Sequence, residues 1–193
     1  VLARSVNGTF IVYPLIRNHH ESGILDCSSI YPNSASSDLK SLAIKLAKRI
    51  ANELSYVGVM AVEFFLSRDT LFVNEIAPRP HNSGHFTIDA CIYNQFDQQV
   101  LTLVGEEPKK QVTKFPISLM LNILGDLWFR NKVLREPKFN MITGPGINLH
   151  LYDKEEPRIG RKMGHITIIG LANESQKDVT NKSEAIRKVL WEN

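Results

Sequence analysis

Hydrophobic spacing divides the chain into stretches of different period. Val1–Val6 and Thr9–Ile16 flank Asn7-Gly8, which suits a type I′ turn, so the opening reads as a hairpin. Arg17–Ser37 is polar and rich in His, Ser, Asn and Pro, which predicts a long loop with at most a short edge strand. The clearest helix follows. Leu39, Leu42, Ala43, Leu46, Ala47, Ile50, Ala51 and Leu54 recur at three- and four-residue steps, opposite Lys40, Lys45, Lys48 and Arg49. Ser36 or Ser37 can cap its first turn, and Asp38 suits the positive end of its dipole. Gly58–Leu66 and Leu71–Ile76, dense in Val, Phe, Leu and Ile, predict two strands.

Ala77–His85 cannot be regular structure, because Pro78 and Pro80 remove donors and push their neighbours to extended geometry. A second amphipathic helix is predicted over Thr87–Val104, burying Ile88, Cys91, Ile92, Phe96, Val100 and Leu103. Glu106–Lys114 is a polar connector and the best domain boundary, giving domains over 1–106 and 107–193. Beyond it the pattern predicts a strand (117–124), a short helix (127–135), a Gly144-Pro145-Gly146 turn, strands over 147–152 and 163–170, and a terminal helix from Glu174. The fold class is therefore α+β, with a β-rich second domain.

Composition narrows the function. At 43% hydrophobic and 22% charged, the chain can bury a core and is not disordered. The net charge of +3 is too small to argue for nucleic acid or an anionic membrane. No apolar run approaches the roughly 18–20 residues of a membrane span. Cys27 and Cys91 form no CxxC pattern, which leaves a reducing cytoplasm as the expected setting. An opening inside a strand, without Met or leader, reads as a piece of something longer.

Two acidic residues stand out. Glu63 interrupts the apolar run Val59–Phe65, and Glu75 ends the run from Leu71. Carboxylates are rarely buried without a partner. Opposed residues in an antiparallel hairpin share one index sum, and Glu63 with Glu75 gives the same sum as Ser67 with Leu71. A three-residue loop at Arg68-Asp69-Thr70 would thus set the carboxylates opposite on one face, with Cβ atoms roughly 4.5–5.5 Å apart. A four-residue loop would send them to opposite faces. Two like charges that close must share a proton or a cation, and hard oxygens without nearby Cys suit Mg²⁺ beside substrate phosphates. The alternative is that each Glu pairs with a Lys or Arg, or faces water at a sheet edge.

Arg79, His81, Asn82, Ser83, Gly84 and His85 crowd the following loop just before a helix N-terminus. Free amides and a guanidinium fork there favour an anion, and His81 can act as acid, base or neutral donor near neutral pH. The blander reading is a rigid corner whose histidines cap the helix. A zinc site at His81 and His85 is disfavoured, because Ser83-Gly84 and the prolines deny an i, i+4 helix. Arg158, Arg161 and Lys162, beside Gly160 and Gly164, suit either phosphate or a solvated hairpin tip.

Taken together, these segments resemble a known family. Asn74-Glu-Ile-Ala-Pro-Arg-Pro-His-Asn-Ser-Gly-His85, preceded by Ala61-Val-Glu-Phe-Phe65 and followed by Gly160-Arg-Lys-Met-Gly-His165, closely resembles the 5-(carboxyamino)imidazole ribonucleotide synthetases of purine biosynthesis, a family of ATP-grasp enzymes. Met120–Asp126 and Leu149–Tyr152 resemble family segments too. The resemblance implies the C-terminal half of an ATP-grasp domain, then a small barrel-sandwich-hybrid-like domain, in a cytoplasmic homodimer whose N-terminal half lies elsewhere. It implies ATP-dependent carboxylation of aminoimidazole ribonucleotide by bicarbonate, with ATP and Mg²⁺. Glu63 and Glu75 match the metal ligands, Asn74, Glu75, Asn82 and Ser83 the nucleotide side, and Arg79 and His81 catalytic positions. Arg158, Arg161 and Lys162 match the contact to the ribonucleotide phosphate. The family's glycine-rich loop and ATP-binding lysine are not among these residues, so weak ATP binding and no turnover are expected of this chain alone. A formate-dependent glycinamide ribonucleotide transformylase is the alternative within enzymes, and a non-catalytic binding or dimerisation module the alternative outside them.

Overall fold

The computed structural model describes residues 1–68, 70–110, 113–130 and 133–192. In chain order come β1 (Leu2–Arg4), β2 (Phe10–Val12), β3 (Arg17–Glu21), β4 (Ile24–Ile30), α1 (Ser37–Glu53), β5 (Gly58–Ser67) and β6 (Thr70–Ala77). Two short helices follow, α2 (Thr87–Ala90) and α3 (Gln95–Leu103). The remainder is β7 (Ser118–Leu124), β8 (Phe129–Arg130), β9 (Val133–Leu134), β10 (Ile147–Leu151), β11 (Lys162–Ile169) and α4 (Gln176–Arg187). Contacts divide the chain into two compact units, residues 1–16 with 32–114 and residues 17–31 with 115–193.

The first unit is built on an antiparallel sheet ordered β2-β1-β5-β6. Leu2 of β1 lies opposite Met60 of β5, and both pack on Ala51 of α1, with Phe10, Val12, Ala47 and Ile50 around them. Each such large apolar side chain stabilises the unit by about 1.5–3 kcal/mol when fully buried. Ser36 is the residue that caps α1, its hydroxyl accepting from the Leu39 N–H at 3.2 Å. At the first hairpin the type I′ expectation gives way. Only Gly8 takes a positive φ (83°), and its N–H donates to the Ser5 carbonyl, a turn closed by a left-handed glycine.

The second unit is a five-stranded antiparallel sheet ordered β10-β11-β7-β4-β3. β7 and β11 are almost wholly buried, and Leu119, Leu121, Ile123, Met163, Ile166 and Ile168 form its core. Val179, Ile186 and Leu190 from the C-terminal helical segment join that core. Ser175 opens α4 through a reciprocal capping box with Asp178.

Four expectations change on this frame. The polar stretch predicted as a loop contains the hairpin β3–β4, turned by Ser22 and Gly23, both at positive φ. It supplies two strands to the second unit, so that unit is not continuous in sequence. The division after the connector falls at 114/115 rather than 106/107, because Gln98 bonds to both the N–H and the carbonyl of Lys109 while the Lys114 N–H donates to the Ala90 carbonyl. The single helix predicted over 87–104 is two, since the Asn94 side chain caps a fresh start by accepting from the Phe96 and Asp97 N–H groups. Finally, the helix predicted over 127–135 is a 3-10 turn (Gly125–Trp128) and the β8–β9 ladder, with residues 131–132 outside those described. Within that turn Asp126 accepts from the Gly160 N–H at 2.6 Å.

Candidate active site

Glu63 lies directly opposite Glu75, as the register argument required, but by a different route. Ser67 pairs with Thr70, so the turn is one residue shorter than expected; Asp69, within it, lies outside the described residues. A β-bulge between Glu63 and Phe64 restores the pairing: Phe64 faces Val73, Glu63 faces Glu75, and Asn74 is the extra residue. The Asn74 amide approaches Glu63 Oε2 at 3.5 Å, so the bulge brings Asn74 to the acids' side. Exposure rises along β5, from buried Gly58–Ala61 to half-buried Glu63 and exposed Phe65–Ser67, and β6 is exposed over Phe72–Ile76. The carboxylates thus stand where the hairpin emerges from the body of the unit. Phe65, Leu66, Phe72 and Val73 are each at least half exposed, an apolar surface unusual on so small an arm.

Ala77–Gly84 carries the other candidates of this unit. His81, Asn82 and Ser83 are buried, whereas Arg79 is exposed, donating to the Pro80 carbonyl at 3.0 Å. His81 Nδ1 lies 2.9 Å from Ser83 Oγ and 3.8 Å from Glu63 Oε1. The loop therefore returns against the carboxylate pair, bringing His81 to Glu63. An imidazolium there would pair with Glu63. A neutral ring instead accepts from the Ser83 N–H at 3.4 Å.

Sequence reasoning missed the residue that holds this loop. The apolar stripe predicted as buried on the second helix faces outward: Ile92, Phe96, Val100 and Leu103 are 54, 42, 61 and 64% exposed. Ile88 is half-buried and Cys91 buried. What α3 buries is polar. Gln95, Gln98 and Thr102 are essentially inaccessible, and Gln95 bonds to the His81 backbone while Gln98 bonds to that of Lys109. Gln99 accepts from the Val59 N–H at the start of β5. The signal was legible as glutamines at three-residue spacing opposite the apolar face.

Arg158, Arg161 and Lys162 belong to the second unit. Arg158 bonds to Glu156 at 2.8 Å, both 71% exposed at the side chain, and Arg161 donates to the Glu156 carbonyl. Lys162 begins β11, half-buried. The connection is pinned to the 3-10 turn at one place: a side chain at Gly125 would overlap the Arg158 backbone, and Gly160, at φ 72°, donates to Asp126. Tyr152 and His150 both approach His165, whose Nδ1 lies 2.8 Å from the tyrosine hydroxyl. Burial raises the Tyr152 phenol well above its ordinary range. No helix among the described residues is long and apolar enough to cross a membrane.

Comparison with known proteins separates the chain at the same connector, but keeps the β3–β4 hairpin with the first part. Residues 1–96 match the ATP-grasp domain, and residues 118–178 match the phosphoribosylaminoimidazole carboxylase C-terminal domain. An N5-carboxyaminoimidazole ribonucleotide synthase of Staphylococcus haemolyticus is 42% identical over 158 residues, 81% of this chain and 40% of that protein. The crystal structure of an N5-carboxyaminoimidazole ribonucleotide synthetase from Thermus thermophilus superposes with a TM-score of 0.86 at 33% identity, covering 100% of this chain and 50% of that one. An Aspergillus clavatus N5-carboxyaminoimidazole synthase, solved with ADP and 5-aminoimidazole ribonucleotide, gives 0.83 at 26% identity over 100% of this chain and 50% of that one. The chain thus spans about half the length of the relatives it matches.

Proposed function

This chain belongs to the N5-carboxyaminoimidazole ribonucleotide synthase family of ATP-grasp proteins, and on that premise we propose that it supplies the carboxylate-bearing part of an ATP-dependent carbon–nitrogen ligase. The reaction is carboxylation of 5-aminoimidazole ribonucleotide by bicarbonate in purine biosynthesis. The terminal phosphoryl group of ATP passes to bicarbonate, and the carboxyl unit then passes to the substrate amine, releasing ADP and phosphate.

One observation supports this reading above the rest: Glu63 and Glu75 face each other across one ladder, with Asn74 on their side. The two carboxylates offer hard oxygen donors, with the Asn74 amide nitrogen donating to Glu63, and that donor chemistry fits magnesium; when bound, it would neutralise charge on the nucleotide phosphates. Asn74, Glu75, Asn82 and Ser83 serve the nucleotide side. Arg79 offsets charge on the bicarbonate-derived oxyanion, and its exposure leaves the guanidinium fork open to an anion. His81, at Glu63, moves the proton. Arg158, Arg161 and Lys162 hold the ribonucleotide phosphate. A cytoplasmic homodimer belongs to the same proposal.

Phosphate release by the longer protein tests the reading. It should require ATP, bicarbonate and aminoimidazole ribonucleotide together, and Glu75→Gln should abolish it. Full activity in Glu75→Gln, or release supported by formate in place of bicarbonate, overturns it. The 193 residues alone should not turn over.

A further inference from the structure

We propose that Gln95 is a positioning residue that fixes the 81–85 loop and holds His85 as the neutral tautomer protonated on Nε2. The backbone of His81 fixes the orientation of the Gln95 amide. Its N–H can only donate and its carbonyl can only accept, and both meet the Gln95 side chain at 2.9 Å, the N–H at Oε1 and the carbonyl at Nε2. These two bonds settle which way round the amide sits, an assignment otherwise left to inference. One amide hydrogen is then spent on the His81 carbonyl. The other points to His85 Nδ1, 2.8 Å from Gln95 Nε2. A donor aimed at Nδ1 requires a lone pair there, so the ring proton resides on Nε2.

The surroundings allow Gln95 little freedom. It is 0% exposed, and its own N–H donates to Thr87 Oγ1, which in turn donates to the Gly84 carbonyl at 2.6 Å. A methyl group at Gly84 would meet Gln95 Cδ at 2.9 Å, so this loop glycine makes room for the amide. The His85 ring leans on Phe96, centroids 5.6 Å apart. Loop backbone, histidine tautomer and helix start are thereby coupled through one side chain. The inference rests on the enzymatic reading only for what a neutral His85 then does, namely present an N–H donor on the loop that also carries Arg79 and His81.

Imidazole nitrogen resonances of the ¹⁵N-labelled chain test it. In the wild type, His85 should show a pyridine-type Nδ1 and a pyrrole-type Nε2. Gln95→Glu replaces the donor at Nδ1 with an acceptor, so the pyridine-type Nδ1 signal of His85 should be lost. A pyrrole-type Nδ1 in the wild type overturns the proposal, as does an unchanged His85 pattern in a folded Gln95→Glu. Should that variant not fold, the wild-type spectrum decides alone. In the longer enzyme, Gln95→Glu should lower kcat by about tenfold or more and leave KM for ATP within about twofold; a matching change in both would mark a merely structural role. Absence of any ATP-dependent activity in the wild-type enzyme would defeat the enzymatic reading while leaving the tautomer assignment intact.

Discussion

Gln95 and Gln98 offer a controlled comparison, because each clamps the N–H and carbonyl of one backbone residue with the same amide chemistry. Leucine at either position keeps most of the volume and removes both backbone bonds, and at 95 also the contact to His85 Nδ1. The two outcomes should differ through burial. The His81 groups are enclosed, so Gln95→Leu strands a donor and an acceptor at about 1–3 kcal/mol each, a total of about 2–6 kcal/mol. The Lys109 bonds, at 3.0 and 2.8 Å, are only partly buried and Lys109 is exposed, so water can replace the amide. Gln98→Leu then costs only the net value of two ordinary bonds, about 1–3 kcal/mol together. Both tryptophans, Trp128 and Trp191, lie in the second unit, so fluorescence does not report this one. Native-state hydrogen exchange at Met60 and Ala61, buried in β5, gives the opening free energy directly. A cost for Gln98→Leu equal to or above that for Gln95→Leu would refute the reasoning.

Three further outcomes are expected. Gly125→Ala drives a side chain into the Arg158 backbone, which should destabilise the second unit by about 1–3 kcal/mol; tryptophan fluorescence melts should show it, and an unchanged Tm counts against the contact. The Glu174 carboxyl is held below its ordinary range by Lys182 and then by the Leu171 N–H, and Asp178 by the Ser175 hydroxyl and backbone. Lowered carboxylate values mean that the unfolded chain binds more protons as pH falls, so this support for α4 is complete above about pH 4–4.5 and is lost on acidification through the lowered values. Asp178→Asn should flatten the acid loss of helical circular dichroism, and an unaltered acid profile would contradict that. On the proposed reading, Arg161→Ala in the longer enzyme raises KM for aminoimidazole ribonucleotide about 10- to 150-fold, the range of a charged hydrogen bond, whereas a KM within twofold of wild type removes Arg161 from the phosphate site.

Much of this architecture was legible from residue order, and the exceptions share a cause. β7, β11 and the first half of β5 read correctly because their apolar residues meet a core, and α1 because one side of it packs there through Ala47, Ile50 and Ala51. Of the β3–β4 hairpin only a short edge strand was expected, because β3 is exposed at Arg17 and His19–Glu21 and only backbone pairing with β4 defines it. α3 carries a true helical period but presents it outward, since three glutamines reach inward to satisfy backbone groups of other segments. Periodicity locates a helix; it does not say which stripe the tertiary structure chooses. The carboxylate pair was legible only in its outcome: the tip is one residue shorter than expected, and the bulge at Asn74 makes up the difference. The row of glutamines at three-residue spacing was legible, but that Gln95 meets the His81 backbone was not, because that partner lies in another segment.

The odd residue in the hairpin has a meaning of its own. Glu63 and Glu75 would also have met in an unbroken ladder closed by a wider tip, with Asn74 then opposite Phe64 and facing away. Moving the surplus position from the tip down to the acids leaves them matched and turns a third oxygen-bearing side chain toward them. A protein engineer who straightened this strand while widening its end would keep both charges and lose the amide, a lesion invisible to any inspection that checks only for paired acids.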